Sequence, residues 1–128
     1  MGQYFIAVNL DKREYVCPWC ISGGAKLWEW AVNRQGAIFT LLLRQSTEGG
    51  GGDYTGKTYE MDKHALAGRW AGDRVALVGD YDRSGLWGQR ETYRNISAPL
   101  VAAWNQFIEL REYQLTCNPC SGHAQPTP

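Results

Sequence analysis

Residues 3–10, Gln-Tyr-Phe-Ile-Ala-Val-Asn-Leu, alternate and cluster aromatic and β-branched side chains, then stop at Asp11-Lys12-Arg13, the pattern of a strand running into a turn. Tyr15-Val16 resumes as a second short strand leading into Cys17. Between Ala25 and Asn33, Leu27, Trp28, Trp30 and Ala31 recur at roughly helical spacing and predict a short helix with its tryptophans in the core. Residues 37–43 form a continuous apolar run whose length, Ile38 and Phe39 lean toward a buried strand, with a helix as the alternative. Glu48 to Gly56 carries a run of glycines too permissive to hold an element on propensity, so a surface loop is expected there.

Residues 74–81, Arg-Val-Ala-Leu-Val-Gly-Asp-Tyr, place apolar groups on both alternating faces and read as the central strand. Glu91 to Ile96 suggests another strand. Ser97 as N-cap, Pro99 in the first turn and the repeat Leu100, Ala103, Trp104, Phe107, Ile108 predict a helix over 98–109. The expected fold is α+β: a small, mainly antiparallel sheet from the segments near 3–10, 74–81 and 91–96, with one or two helices packed on it. Residues 1–122 read as one domain and 123–128 as a flexible tail.

Composition narrows the function. With 44% apolar and 20% charged residues the chain can bury a core. Thirteen basic and thirteen acidic residues leave no net charge, which argues against a nucleic-acid partner. No window approaches a membrane span, and Met-Gly-Gln-Tyr-Phe-Ile lacks the features of a signal peptide, so a cytoplasmic protein without a membrane partner is expected. Gly2 is not a myristoylation signal, because Ile6 stands where Ser or Thr is needed.

All four cysteines fall in two C-x-x-C pairs, Cys17-Pro18-Trp19-Cys20 and Cys117-Asn118-Pro119-Cys120. That separation lets a tight turn aim two thiolates at one tetrahedral ion, so zinc is the economical reading: a four-cysteine zinc clip joining the N- and C-terminal regions. Four thiolates would close the shell and make the zinc structural. Redox dithiols and structural disulfides are the competing uses, and His123 could replace one cysteine.

Gly51-Gly52-Asp53-Tyr54-Thr55-Gly56-Lys57-Thr58 matches the P-loop pattern G-x-x-x-x-G-K-[ST], but Arg44 to Gly50 separate it from the preceding apolar run, where a P-loop follows its strand directly. Lys57 is therefore expected in solvent. Gly68-Arg69-Trp70-Ala71-Gly72-Asp73-Arg74 and Asp80-Tyr81-Asp82-Arg83 bracket the expected central strand with charge. They are either solvated strand ends or a polar site in which Asp80 and Asp82, on one side of an extended chain, hold an ion or share a proton. Trp19, Trp70 and Trp87 fall in turns, where an indole covers the core edge or offers a binding face. Apart from His64, no histidine outside the tail is available as a neutral-pH base, and no hydrolase constellation is present.

Two functions follow. The first is a non-catalytic, zinc-stabilised domain recognising a protein or small-ligand partner through Arg69, Trp70, Asp73, Asp80, Asp82 and Trp87. The second is a small enzyme or nucleotide-binding protein using Asp73, Asp80, Asp82 and the Gly51–Thr58 loop. The blocks Met1-Gly2-Gln3-Tyr4-Phe5, Val8-Asn9-Leu10-Asp11-Lys12, Gly68 to Val75 and Leu77-Val78-Gly79-Asp80-Tyr81 resemble a family of small proteins of uncharacterised function. The resemblance implies a shared fold and no particular chemistry. It draws attention to Asn9, Asp11, Arg69, Trp70, Asp73 and Asp80, and leaves the cysteine pairs and Gly56-Lys57-Thr58 outside the shared pattern.

Overall fold

The computed structural model describes residues 2–21, 23–48, 64–108 and 110–118. Within them the chain is α+β, with strands β1 (Phe5–Asn9), β2 (Glu14–Val16), β3 (Val75–Gly79) and β4 (Arg94–Asn95) and helices α1 (Leu27–Val32), α2 (Ala37–Leu42), α3 (Leu86–Gln89) and α4 (Ser97–Phe107). One sheet has the order β3-β1-β2-β4. Because β1 is antiparallel to β2 and β3 while β2 runs parallel to β4, the sheet is mixed rather than wholly antiparallel. Among the described residues no helix is long and apolar enough to cross a membrane.

The β1–β2 hairpin closes through Asn9, whose Oδ1 accepts the amides of Asp11 at 2.9 Å and Lys12 at 2.7 Å. Such a side-chain turn replaces bonds the backbone cannot make while reversing direction. Arg13 completes the reversal at φ 57°.

The apolar run 37–43 is helical, not extended. Ile38, Leu41 and Leu42 are buried while Thr40 and Leu43 are exposed, a helical period concealed because Ala37, Phe39 and Leu43 off the buried stripe are also apolar. The deciding contact is distant in sequence. The last turn of α2 would leave carbonyls unpaired, and the amides of Gly68 and Trp70 reach Leu41 O at 2.8 Å and Leu42 O at 2.9 Å. Gly68 takes φ 74°, and a Cβ there would lie 2.5 Å from the Arg44 carbonyl oxygen. Gly68→Ala is accordingly expected to cost on the order of 2 kcal/mol in denaturant melts. Gly88→Ala, at a helical glycine with open space around it, should be neutral or stabilising.

β3 is an edge strand, whereas the sequence pattern suggested a central one. Cover on the faces is distinct from pairing at the edges: β1, with Ile6, Ala7 and Val8 all buried, takes the central place, and Leu77 of β3 is 37% exposed. The strand expected over 91–96 shrinks to Arg94–Asn95 after a 3-10 turn at Arg90–Thr92. Ser97 does not cap α4 with its side chain. Asn95 Oδ1 accepts the Ser97 amide at 3.0 Å and its hydroxyl at 2.6 Å instead, which frees Ser97 Oγ for another role.

The α4 helix lies across the core on Leu100, Val101, Ala103, Trp104 and Phe107 and packs against α2. Its polar Asn105 then folds the following chain back. Asn105 Nδ2 donates to Leu115 O at 2.7 Å and Oδ1 accepts Leu115 N at 2.8 Å, while Trp104 Nε1 donates to Tyr113 O at 2.9 Å. That clamp ends two residues before Cys117. The loop expected over 48–56 lies, from residue 49 onward, outside the described residues, as does the expected tail 123–128.

Candidate functional site

The first cysteine turn starts where β2 ends. Cys17 and Cys20 are buried, the Gly23 amide closes the turn on Pro18 O at 3.0 Å, and the Cys17 amide donates to Ser97 Oγ at 2.9 Å. Asn95 Nδ2 lies 3.7 Å from Cys20 Sγ, so β4 and the start of α4 supply polar support to this turn. Cys117 and Asn118 follow the Asn105 clamp, and the Asn118 amide donates to Cys20 O at 2.7 Å. The first half of the second C-x-x-C pair therefore lies against the Cys17–Cys20 turn. Burial and the adjacent Cys20 push the Cys117 thiol above its ordinary acidity range. A cation among the sulfurs would reverse that effect, because thiolates repel one another and attract metal. Among the described residues no group of three or more His, Cys, Asp and Glu side chains is arranged to hold a metal. Cys120 and His123 lie outside those residues.

The second polar cluster interlocks the β1–β2 hairpin with residues 69–74. Glu14, 2% exposed, accepts Arg69 Nε at 3.0 Å on both carboxylate oxygens, Arg69 Nη2 at 2.5 Å and Trp70 Nε1 at 2.8 Å. Asn9 Nδ2 and Lys12 Nζ both reach Asp73 Oδ2, at 2.9 and 2.5 Å. Asp11 accepts the Arg74 amide at 2.7 Å and its Nε at 2.9 Å. The sequence blocks around Val8–Lys12 and Gly68–Val75 are thus two halves of one clasp. Glu14 was not among the sequence candidates, because a lone acid beside a turn carries no sign that it will be buried.

The residues expected to form a ligand surface do not converge. Trp70 is fully buried and its indole N–H is committed to Glu14, so it belongs to the core and presents no binding face. Arg69 and Asp73 belong to the clasp at one end of β3. Asp80 lies at the other end, separated by a strand of about 16 Å, where its Oδ1 accepts the Tyr4 amide at 3.0 Å. Asp82 bonds the Ser84 amide at 3.0 Å and the Ser84 hydroxyl rather than joining Asp80. Trp87 is half-buried in an aromatic row: Trp19, from between the first two cysteines, packs edge-on against Tyr4 at 5.8 Å and Trp87 at 6.4 Å, and Arg90 stacks 4.6 Å over Trp87. Gly51–Thr58, with Lys57, lies outside the described residues.

Glu14, Asp73, Asp11 and Asp82 are also poor candidates for acid catalysis. Burial pushes Glu14 up, but the bonds from Arg69 and Trp70 outweigh it and the carboxyl sits below its usual range. Lys12 and Asn9 lower Asp73, Arg74 lowers Asp11, and the Ser84 hydroxyl and amide lower Asp82. A general acid working near neutrality needs the opposite shift.

Sequence reasoning missed the face of α1. Trp30 is buried and donates Nε1 to Phe5 O at 3.1 Å, whereas Trp28 is 62% exposed beside exposed Leu27 and Val32. Trp28, Leu27 and Ala31 wall an open groove with Gly2, Gln3, Phe5 and Lys26. The spacing held the signal: residues two apart on a helix point to different sides, so Trp28 and Trp30 cannot share a core face. Compared with known proteins, the chain matches no family model, no curated protein and no solved structure.

Proposed function

We propose that this chain is a non-catalytic domain, closed by a structural zinc ion on Cys17, Cys20, Cys117 and Cys120, that recognises a protein partner through the exposed face of α1. The observation that carries the recognition reading is Trp28, 62% exposed beside Leu27, 53% exposed, on a six-residue helix whose other tryptophan is buried. Large apolar side chains gathered on one exposed patch mark surfaces that are covered in a complex. An open groove suits an apolar protein segment better than an enclosed small molecule, and Lys26 at its rim favours an acidic flank on that segment. The enzyme reading lacks a comparable observation, since Asp73, Asp80 and Asp82 serve separate turns.

Trp28→Ser should leave stability within about 0.5 kcal/mol, as exposed substitutions do, while removing partner binding. The measurement is affinity capture with the wild-type and Trp28→Ser chains, followed by calorimetry with each purified protein that only the wild type retains. A partner that binds the wild type and loses at least tenfold in affinity for the variant supports the reading. Identical retained sets contradict it.

A further inference from the structure

We infer that the free edge of β3 pairs with β3 of a second copy of this chain, antiparallel about Leu77, joining two sheets into one. Among the described residues β3 ends the sheet, and β1 is its one strand partner. Arg74 O accepts Leu10 N and Asp80 N donates to Tyr4 O, so the even-numbered residues from 74 to 80 turn their backbone groups toward β1. Val75, Leu77 and Gly79 consequently turn theirs outward. Among the described residues nothing bonds the amides of these three or the carbonyls of Val75 and Leu77, and the Gly79 carbonyl accepts Asp82 N in a turn. The strand Val75-Ala76-Leu77-Val78-Gly79 also lacks the lysine, proline or inward charge by which edge strands discourage pairing.

The flanking charges select the occupant. A two-fold axis at Leu77 sets Leu77 against the partner's Leu77, Val75 against the partner's Gly79 and Arg74 against the partner's Asp80. The outward amides and carbonyls of 75, 77 and 79 then face their counterparts in a continuous ladder. Arg74, which is bonded to Asp11 yet keeps its side chain 76% exposed, meets the partner's Asp80 on each side of the axis. A parallel pairing would set Arg74 beside the partner's Arg74 and Asp80 beside the partner's Asp80, and it would not close by two-fold symmetry. A slip of one residue would turn Leu77 to the wrong face and break both ion pairs. The strand is therefore complementary to itself in length, register and charge, an arrangement an unrelated strand would have to match by coincidence.

The test is sedimentation velocity on the full chain over a concentration series, with circular dichroism confirming that each variant is folded. The wild type should rise from 14.4 kDa toward twice that mass. Asp80→Arg and Arg74→Asp each place like charges across the axis and should remain at the monomer mass. Mixed in equal amounts they restore both ion pairs, and the doubled mass should return. Leu77→Lys, which brings two ammonium groups together at the axis, should also abolish the doubling. A wild type that stays monomeric throughout overturns the proposal. So does a doubled mass that survives Leu77→Lys and both charge variants, or a mixture of folded charge variants that stays monomeric.

Discussion

Glu14→Ala is expected to cost about 2–3 kcal/mol, less than the loss from a fully buried charge pair because the Arg69 side chain is 33% exposed. The substitution strips the Arg69 guanidinium of its carboxylate and leaves the N–H of fully buried Trp70 without an acceptor, so two groups lose compensation at once. Glu14→Gln should cost less, because an amide oxygen can still accept from Trp70. The pH dependence gives an independent reading. Glu14 is held below its ordinary value of 4.5 in the fold, so the unfolded chain takes up the proton more readily than the folded one. Its contribution is complete above the unfolded-chain value and drains away as pH falls through the lower folded value. Asp73 and Asp11, lowered from 3.8, act in the same direction. Denaturant melts between neutral pH and about pH 3 should show this acid limb in the wild type and a shallower one in Glu14→Gln. A Glu14→Ala protein as stable as the wild type would show that the clasp does not hold β1 to residues 69–74.

The second large effect is expected at Cys117. Structural zinc contributes on the order of 10 kcal/mol of apparent binding free energy at neutral pH, and in such sites that energy is folding energy. With zinc on the four cysteines as proposed, Cys117→Ser removes one of four thiolates, so the melting temperature should fall by on the order of 10 °C or more, given about 3–5 °C per kcal/mol in a domain of this size. A chelator should lower the wild type in the same way and leave Cys117→Ser little changed. Asn105→Ala should reproduce part of the loss, because Asn105 holds the Leu115 backbone that brings the second turn to Cys20.

Legibility in the sequence tracked how local the deciding interaction was. β1 and α4 were visible because a strand ending at Asp11-Lys12-Arg13 and the repeat Leu100, Ala103, Trp104, Phe107 each carry their own period. α2 was not, since its helical period lies inside a run that is apolar except for Thr40 and its C-terminus is satisfied by Gly68 and Trp70, far along the chain. β3 was placed at the centre because its side chains suit two covered faces, and side chains say nothing of which edge is paired. The Cys17–Cys20 turn was legible as a turn, and the approach of Cys117 and Asn118 to it depends on the Asn105 clamp, which no spacing announces. The tryptophans show the same limit: Trp70 went inward because Glu14 could take its N–H, and Trp28 outward because α1 has only one face against the core.

Metal analysis of the full chain, purified under reducing conditions without chelator and paired with intact mass before and after denaturation, decides whether zinc closes the domain. One zinc per chain, lost on denaturation to leave four unoxidised thiols, is the result the zinc-closed domain requires. A chain without metal whose mass is lowered by paired thiols would mean that disulfides join the two cysteine turns instead, and a folded, metal-free chain with four thiols would leave them joined by hydrogen bonds alone. Either outcome contradicts the account.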